Sequence, residues 1–149
     1  MIPSQKCIEL IKQFEGFFPD AYLCPASVPT IGFGTIKYQN GNKVHLGEKI
    51  TIEQAEDELM YELKKICMVF KPNLNQNQFD ALVSFAYNLG TGALLNSTLY
   101  KKVKANPNDV SIRDEFMKWN KARVNGKLKE LKGLTRRRKA EADLYFSTI

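Results

Sequence analysis

The sequence has few of the residues that build metal centres, disulfide frameworks or membrane spans. Its 149 residues include three cysteines and one histidine, without a C-x-x-C pair, so we expect no metal site and no disulfide framework. The cysteines are therefore predicted to be free thiols of a reducing compartment. No run reaches the roughly 18 consecutive apolar residues of a transmembrane helix. Charges at Lys6, Glu9 and Lys12 interrupt the apolar run of a secretory signal, so none is expected.

What is present is the composition of a folded domain with a basic end. Hydrophobic residues make up 44% and charged residues 26%, which favours one globular domain. The net charge of +6 is uneven, since residues 101–149 hold 14 basic and 6 acidic side chains. Such a surface suits nucleic acid, an anionic membrane or an anionic polymer such as a cell wall, or it only confers solubility. The basic run lacks interleaved aromatic residues, so we expect no nucleic-acid partner.

Helical periodicity dominates the chain. Thr51 and Gln54 form the capping box of a long helix, and Asn75 begins a helix that is apolar on more than one face. Ser4 is positioned to cap the first helix. The predicted helices cover residues 4–14, 51–71, 75–89, 97–105, 111–122 and 135–146.

Residues 17–46 have a different character, with short β-type runs between prolines and glycines. Asn40-Gly41 between Lys37-Tyr38 and Lys43-Val44 predicts a hairpin. The sequence therefore predicts an α+β protein: a small antiparallel sheet, a long connecting helix and a helical bundle. Two lobes with a cleft between them are expected.

Glu15 is a candidate catalytic residue. It ends the apolar face of the first helix between Phe14 and Phe17, a poor place for a surface charge. A partly buried carboxyl holds its proton more tightly, which suits a general acid, although an ordinary glutamate of a last helical turn would look the same. Gly32 and Gly34 would let a substrate or another backbone approach closely.

Eight residues separate Glu15 from Cys24, and five separate Cys24 from Thr30. This pattern resembles the catalytic signature of the phage-type lysozymes, glycoside hydrolase family 24. Three further segments resemble this family: residues 78–90, Trp119-Asn120 and residues 133–141. The resemblance implies a lysozyme-like α+β domain over residues 1–149. Residues 15–50 would form the β-rich lobe, 51–71 the linking helix, and 72–149 with 1–14 the helical lobe.

The family resemblance implies a muramidase (endolysin) that cleaves the β-1,4 bond between N-acetylmuramic acid and N-acetylglucosamine in peptidoglycan. Glu15 matches the general acid, and Cys24 and Thr30 match the residues on the water side. A thiol is mostly neutral at pH 7 and cannot simply replace a carboxylate. Three alternatives stay open: Cys24 assists water as a thiol, acts as a thiolate, or takes no part because Glu15 alone drives a lytic transglycosylase reaction.

The resemblance also implies supporting and sugar-binding residues. Arg136 matches an arginine that pairs with the acid across the cleft, whereas residues 137–139 are expected to form a solvated basic stripe. The expected cleft residues are Tyr22, Ile36, Tyr87, Ser97 and Asn120. Core packing is an equally good interpretation for Ile36 and Tyr87, and helix capping is for Ser97.

The remaining expectations concern partners and location. We expect peptidoglycan as substrate, no cofactor, no stable membrane insertion and a monomer. The family implies accumulation in the cytoplasm and release to the wall through a separately made membrane hole. A non-catalytic wall-binding module based on the basic C-terminal third is the rival hypothesis.

Overall fold

The computed structural model describes residues 1–70 and 73–148. Within them the chain forms helices and two antiparallel strand pairs. The helices are α1 (Gln5–Glu15), α2 (Ile52–Cys67), α3 (Gln76–Leu89), α4 (Thr91–Leu95), α5 (Thr98–Ala105), α6 (Ile112–Met117) and α7 (Lys132–Tyr145). The strands are β1 (Phe18–Leu23), β2 (Pro29–Gly32), β3 (Lys121–Val124) and β4 (Lys127–Glu130).

The helix starts follow the sequence signals closely. Thr51 with Gln54 and Asn75 with Gln78 form the reciprocal hydrogen bonds of two capping boxes, as predicted for the first of them. Ser4 precedes α1 but does not cap it with its own side chain. Instead, its backbone N–H and its hydroxyl both donate to the buried carboxylate of Asp80 on α3. The start of α1 is thereby fixed to the central helix.

Helix α3 is the centre of the core. Every residue from Asn77 to Ala86 is buried, as the apolar character on several faces predicted. Helices α1, α2, α4 and α7 all pack against it. Helix α2 ends at Cys67, so the prediction that it continues was wrong for residues 68–70, and Lys71 and Pro72 lie outside the described residues.

The predicted sheet is smaller than expected. Strands β1 and β2 pair with Phe18 opposite Gly32 and Tyr22 opposite Thr30, with a register irregularity between them. The turn at Asn40-Gly41 is present, but its flanks meet only in the single bridge Lys37–Lys43. The segment after this turn is fixed against β1, because the Ile50 N–H donates to the Pro19 carbonyl and the Ala21 N–H donates to the Glu48 carbonyl.

A second hairpin, β3–β4, lies where the sequence predicted the end of a helix. Helix α6 ends at Met117, and Lys121–Val124 then pairs with Lys127–Glu130 around Asn125-Gly126. The hairpin is mostly exposed and carries basic side chains on both strands.

Among the described residues no helix combines the length and apolar character that a membrane span requires.

Candidate active site

Glu15 stands where α1 meets the β1–β2 hairpin. It is the last residue of α1, because the chain turns at Gly16 and enters β1 at Phe18. Its side chain is 19% exposed. It lines a cavity of about 550 Å³ together with residues of α1, α3 and the start of α7. A carboxyl group therefore faces an open space large enough for a sugar unit.

Gly34 lies directly against the Glu15 carboxyl. A Cβ atom at position 34 would be only 2.7 Å from Glu15 Oε1 and 3.6 Å from the Tyr87 hydroxyl. Gly34 has φ of +88°, a conformation that favours glycine. The Tyr87 hydroxyl donates to the Phe33 carbonyl at 2.5 Å and so holds this loop on α3.

Gly34 and Tyr87 also line a second cavity, of about 380 Å³, with Ile36 and Glu62. Glu15 lines the first cavity, and Gly34, which lies against its carboxyl group, lines the second. Burial, and secondarily the nearby Glu15, raise the pKa of Tyr87, which stays a neutral phenol. The same two causes raise the pKa of Tyr22 on β1.

Arg137 is the arginine that pairs with Glu15, and the prediction of Arg136 for this role was wrong. Arg137 Nη1 donates to Glu15 Oε2 at 2.5 Å. Arg137 is 4% exposed and its guanidinium lies over the Phe14 ring. Arg136 is exposed and lines the same cavity as Glu15. Successive side chains of an α-helix point about 100° apart around its axis, so neighbouring arginines face different surroundings.

Arg137 belongs to a buried charged network. Its Nε donates to Glu141 Oε2 at 3.3 Å and its Nη2 to the Ser84 carbonyl at 3.2 Å. The Ser84 hydroxyl donates to Glu141 Oε2 at 2.5 Å. Arg138 Nε forms an ion pair with Glu141 Oε1 at 2.7 Å, and its Nη2 donates to Asn88 at 2.8 Å. The expected solvated stripe is therefore wrong for Arg137 and Arg138, which are buried.

Cys24 begins the turn of the β1–β2 hairpin, and Thr30 lies in β2 just after this turn. The Cys24 N–H donates to the Val28 carbonyl at 3.1 Å, which closes the turn. The pKa of the half-buried Cys24 thiol is lowered. The largest cause is hydrogen bonding from the Val28 backbone, and the Ala26 backbone and the Thr30 side chain contribute in the same direction. Thr30 is buried, and its hydroxyl donates to the Val28 carbonyl at 2.9 Å. Tyr22 pairs with Thr30 across the strands.

Three of the predicted cleft residues, Tyr22, Ser97 and Asn120, line neither cavity described above. Ser97 caps α5 by accepting from the Tyr100 N–H, the alternative that the sequence left open. The Asn120 side-chain amide donates to the Thr135 hydroxyl at 3.2 Å, and the Asn120 backbone carbonyl accepts from the Leu131 N–H at 2.9 Å. A contact between Tyr22, Ser97 or Asn120 and a sugar stays a prediction.

The three cysteines are free thiols in this structure. Cys7 is fully buried against the Asp80 carbonyl. Across residues 1–70 and 73–148 no group of three or more His, Cys, Asp or Glu side chains is arranged to hold a metal ion.

Comparisons with known proteins place this arrangement in a family. Residues 12–141 match the phage lysozyme family. The chain is 41% identical to an endolysin of Acyrthosiphon pisum secondary endosymbiont phage 1, with 97% of each chain covered.

Solved structures agree with the sequence comparison. An endolysin from Escherichia coli O157:H7 phage FAHEc1 superposes with a TM-score of 0.91 at 41% identity, covering 100% of this chain and 96% of that one. The muramidase domain of SpmX from Asticaccaulis excentricus superposes with a TM-score of 0.83 at 32% identity, covering 97% of each. The α+β lysozyme fold predicted from the sequence is thereby confirmed. This chain belongs to the phage lysozyme family and is a glycoside hydrolase.

Proposed function

We propose that this enzyme is a muramidase that hydrolyses the β-1,4 bond between N-acetylmuramic acid and N-acetylglucosamine in bacterial peptidoglycan. The observation that carries the proposal is Glu15 itself, a partly exposed carboxyl that lines a cavity, with Arg137 on one oxygen and Gly34 against the other. The names of its relatives, endolysin and muramidase domain, support the same activity.

Glu15 acts as the general acid. Glycoside hydrolysis needs a proton at the leaving oxygen and a second group on the opposite face of the sugar. Arg137 fixes one carboxyl oxygen of Glu15, which leaves the other directed at the space beside Gly34 and Tyr87. Oriented in this way, the carboxylic acid transfers its proton as the glycosidic bond breaks.

Cys24 and Thr30 act on the water side. The lowered pKa of Cys24 increases its thiolate fraction, and a thiolate can accept a proton from the attacking water. The negative sulfur would also stabilise the positive charge that develops on the sugar ring. Thr30 supports this role because its side chain contributes to the lowered pKa of Cys24.

The substrate would lie along the cleft between a β-rich lobe (15–50) and a helical lobe (72–149 with 1–14), joined by residues 51–71. Tyr22, Ile36 and Tyr87 would contact sugar near Glu15, while Ser97 and Asn120 would contact it further along. The basic hairpin β3–β4 precedes Leu131 and Gly133, which line the Glu15 cavity, so it is placed to meet an anionic wall. We propose that the enzyme acts as a monomer after release from the cytoplasm.

The test is digestion of purified peptidoglycan by the wild type, Glu15→Gln and Glu9→Gln, with products identified by mass spectrometry before and after borohydride reduction. Glu9 is an exposed glutamate on the same helix and is the matched control. Reducible muramic acid ends from the wild type and Glu9→Gln, but not from Glu15→Gln, are expected.

The other product patterns would replace the proposal. Anhydro-muramic ends whose yield is unchanged in Cys24→Ala would identify a lytic transglycosylase. This outcome is tested because position 24 holds a thiol and not a carboxylate. Binding to the wall without any product would identify a non-catalytic wall-binding module.

A further inference from the structure

The buried network behind Glu15 contains alternating charges. From the cleft inward they are Glu15, Arg137, Glu141 and Arg138, two negative and two positive. Arg137 is 4% exposed, whereas Glu141 and Arg138 are fully buried. The inner pair, Glu141 and Arg138, lines neither cavity beside Glu15, so it has no place in the mechanism given above.

The network presents a problem for an acid catalyst. A guanidinium that bonds a carboxyl group favours the carboxylate form in general, whereas a general acid needs the protonated form. Glu141 opposes this effect because Arg137 shares its guanidinium between Glu15 Oε2 at 2.5 Å and Glu141 Oε2 at 3.3 Å. Arg138 in turn offsets Glu141.

We propose that Glu141 and Arg138 are positioning residues whose opposite charges set the pH range over which Glu15 keeps its catalytic proton. The inference rests on the proposed role of Glu15 as the general acid. Their action passes through Arg137, and neither residue touches the substrate. Charges in a water-poor interior act over longer distances than surface charges do, so a change in the inner pair reaches Glu15.

The inner carboxyl has partners that keep it charged. Burial raises the pKa of Glu141, and the Arg138 and Arg137 guanidinium groups and the Ser84 hydroxyl oppose that rise. Two cations and a hydroxyl within 3.3 Å favour the carboxylate. Other ionisable groups face this region from neighbouring elements and stay unchanged in the variants described below. They are Cys7 and Lys12 of α1, Tyr22 of β1, Glu62 of α2, Tyr87 of α3 and Arg136 of α7.

A purely structural role predicts something different. Removing either partner of a buried ion pair destabilises a protein whichever charge is lost. The charge-balance proposal instead predicts effects of opposite sign. Loss of the negative Glu141 leaves an excess positive charge, so Glu15 releases its proton at lower pH. Loss of the positive Arg138 leaves an excess negative charge, so Glu15 keeps its proton to higher pH.

The experiment measures the pH dependence of kcat/KM for wild type, Glu141→Gln, Arg138→Gln and the double variant. We expect the alkaline limb to move down by about one pH unit in Glu141→Gln and up by about one unit in Arg138→Gln. The double variant, which removes one charge of each sign, should return near the wild-type limb. Arg138→Lys keeps the charge, and its limb should not move.

A second readout does not require activity. The carboxyl carbon of Glu15 is titrated by NMR in each folded variant, with Glu15→Gln used for assignment. If the wild type cleaves no wall polymer, the proposed function fails, but this titration still measures the charge balance. Shifts of the same sign, or none, in the two single variants would overturn the proposal. If Glu141→Gln does not fold, the comparison of Arg138→Gln with Arg138→Lys decides the question in the same way.

Discussion

Replacing Gly34 with alanine should separate backbone strain from displacement of Glu15, the proposed general acid. The new Cβ would lie 2.7 Å from Glu15 Oε1 and 3.2 Å from Glu15 Cδ, well inside normal contact distance. Since Arg137 holds the other carboxyl oxygen, the carboxyl group must move by roughly 0.5–1 Å. A displacement of that size at a reacting group lowers rates by up to about 100-fold. We therefore expect kcat/KM on peptidoglycan to fall by about 10- to 100-fold.

The matched control is Gly41→Ala. Gly41 has φ of +92°, close to the +88° of Gly34, but a Cβ at position 41 would meet nothing within 4 Å. Both variants should lose about 1 kcal/mol of unfolding free energy from the left-handed backbone. Only Gly34→Ala should lose activity.

The assay pairs chemical denaturation with initial rates on purified wall. Equal activity of Gly34→Ala and wild type, in a protein of unchanged fold, would refute the placement of Glu15 against Gly34. A comparable loss of activity in Gly41→Ala would show that strain or instability, and not contact with the acid, is responsible.

Two further predictions concern thiols and the start of α1. The pKa of Cys24, which is half-buried, is lowered, whereas burial raises the pKa of Cys67 to about 11. Because the thiolate is the reactive form, iodoacetamide at neutral pH should alkylate Cys24 first. Peptide mass spectrometry at timed intervals measures this order, and faster labelling of Cys67 would contradict it. Asp80→Ala removes the acceptor of the Ser4 N–H and hydroxyl, and it should lower the unfolding free energy by about 2–3 kcal/mol in denaturant titrations. A change below about 0.5 kcal/mol would show that water replaces this carboxylate.

Much of the fold could be predicted because local signals were strong. The Thr51–Gln54 capping box and the end of α5 at Ala105 depend on residues close together in sequence, and both are present as predicted. The hairpin β3–β4 also had a local signal, the Asn125-Gly126 turn between short alternating runs. Its strands are only four residues long and highly charged, so a helix end was predicted there instead.

The site was harder because it depends on which side of a helix faces inward. Three successive arginines are indistinguishable by composition. The position of Glu141 gives a signal, since it lies four residues after Arg137 and three after Arg138, on the same helical face. Arg136 is five residues away from Glu141 and falls outside that face. The hydrogen bonds between Ser4 and Asp80 have no local sequence signal, because the two residues are 76 positions apart.

The ion pair between Glu15 and Arg137 joins residues 122 positions apart. Helix α1 is therefore synthesised long before the helix that completes its surroundings. A nascent or truncated chain that lacks α7 has the acid but neither the arginine that orients it nor the inner pair behind it, and one side of α3 is uncovered. The proposed active site is thus assembled only after α7 has left the ribosome and packed onto α3.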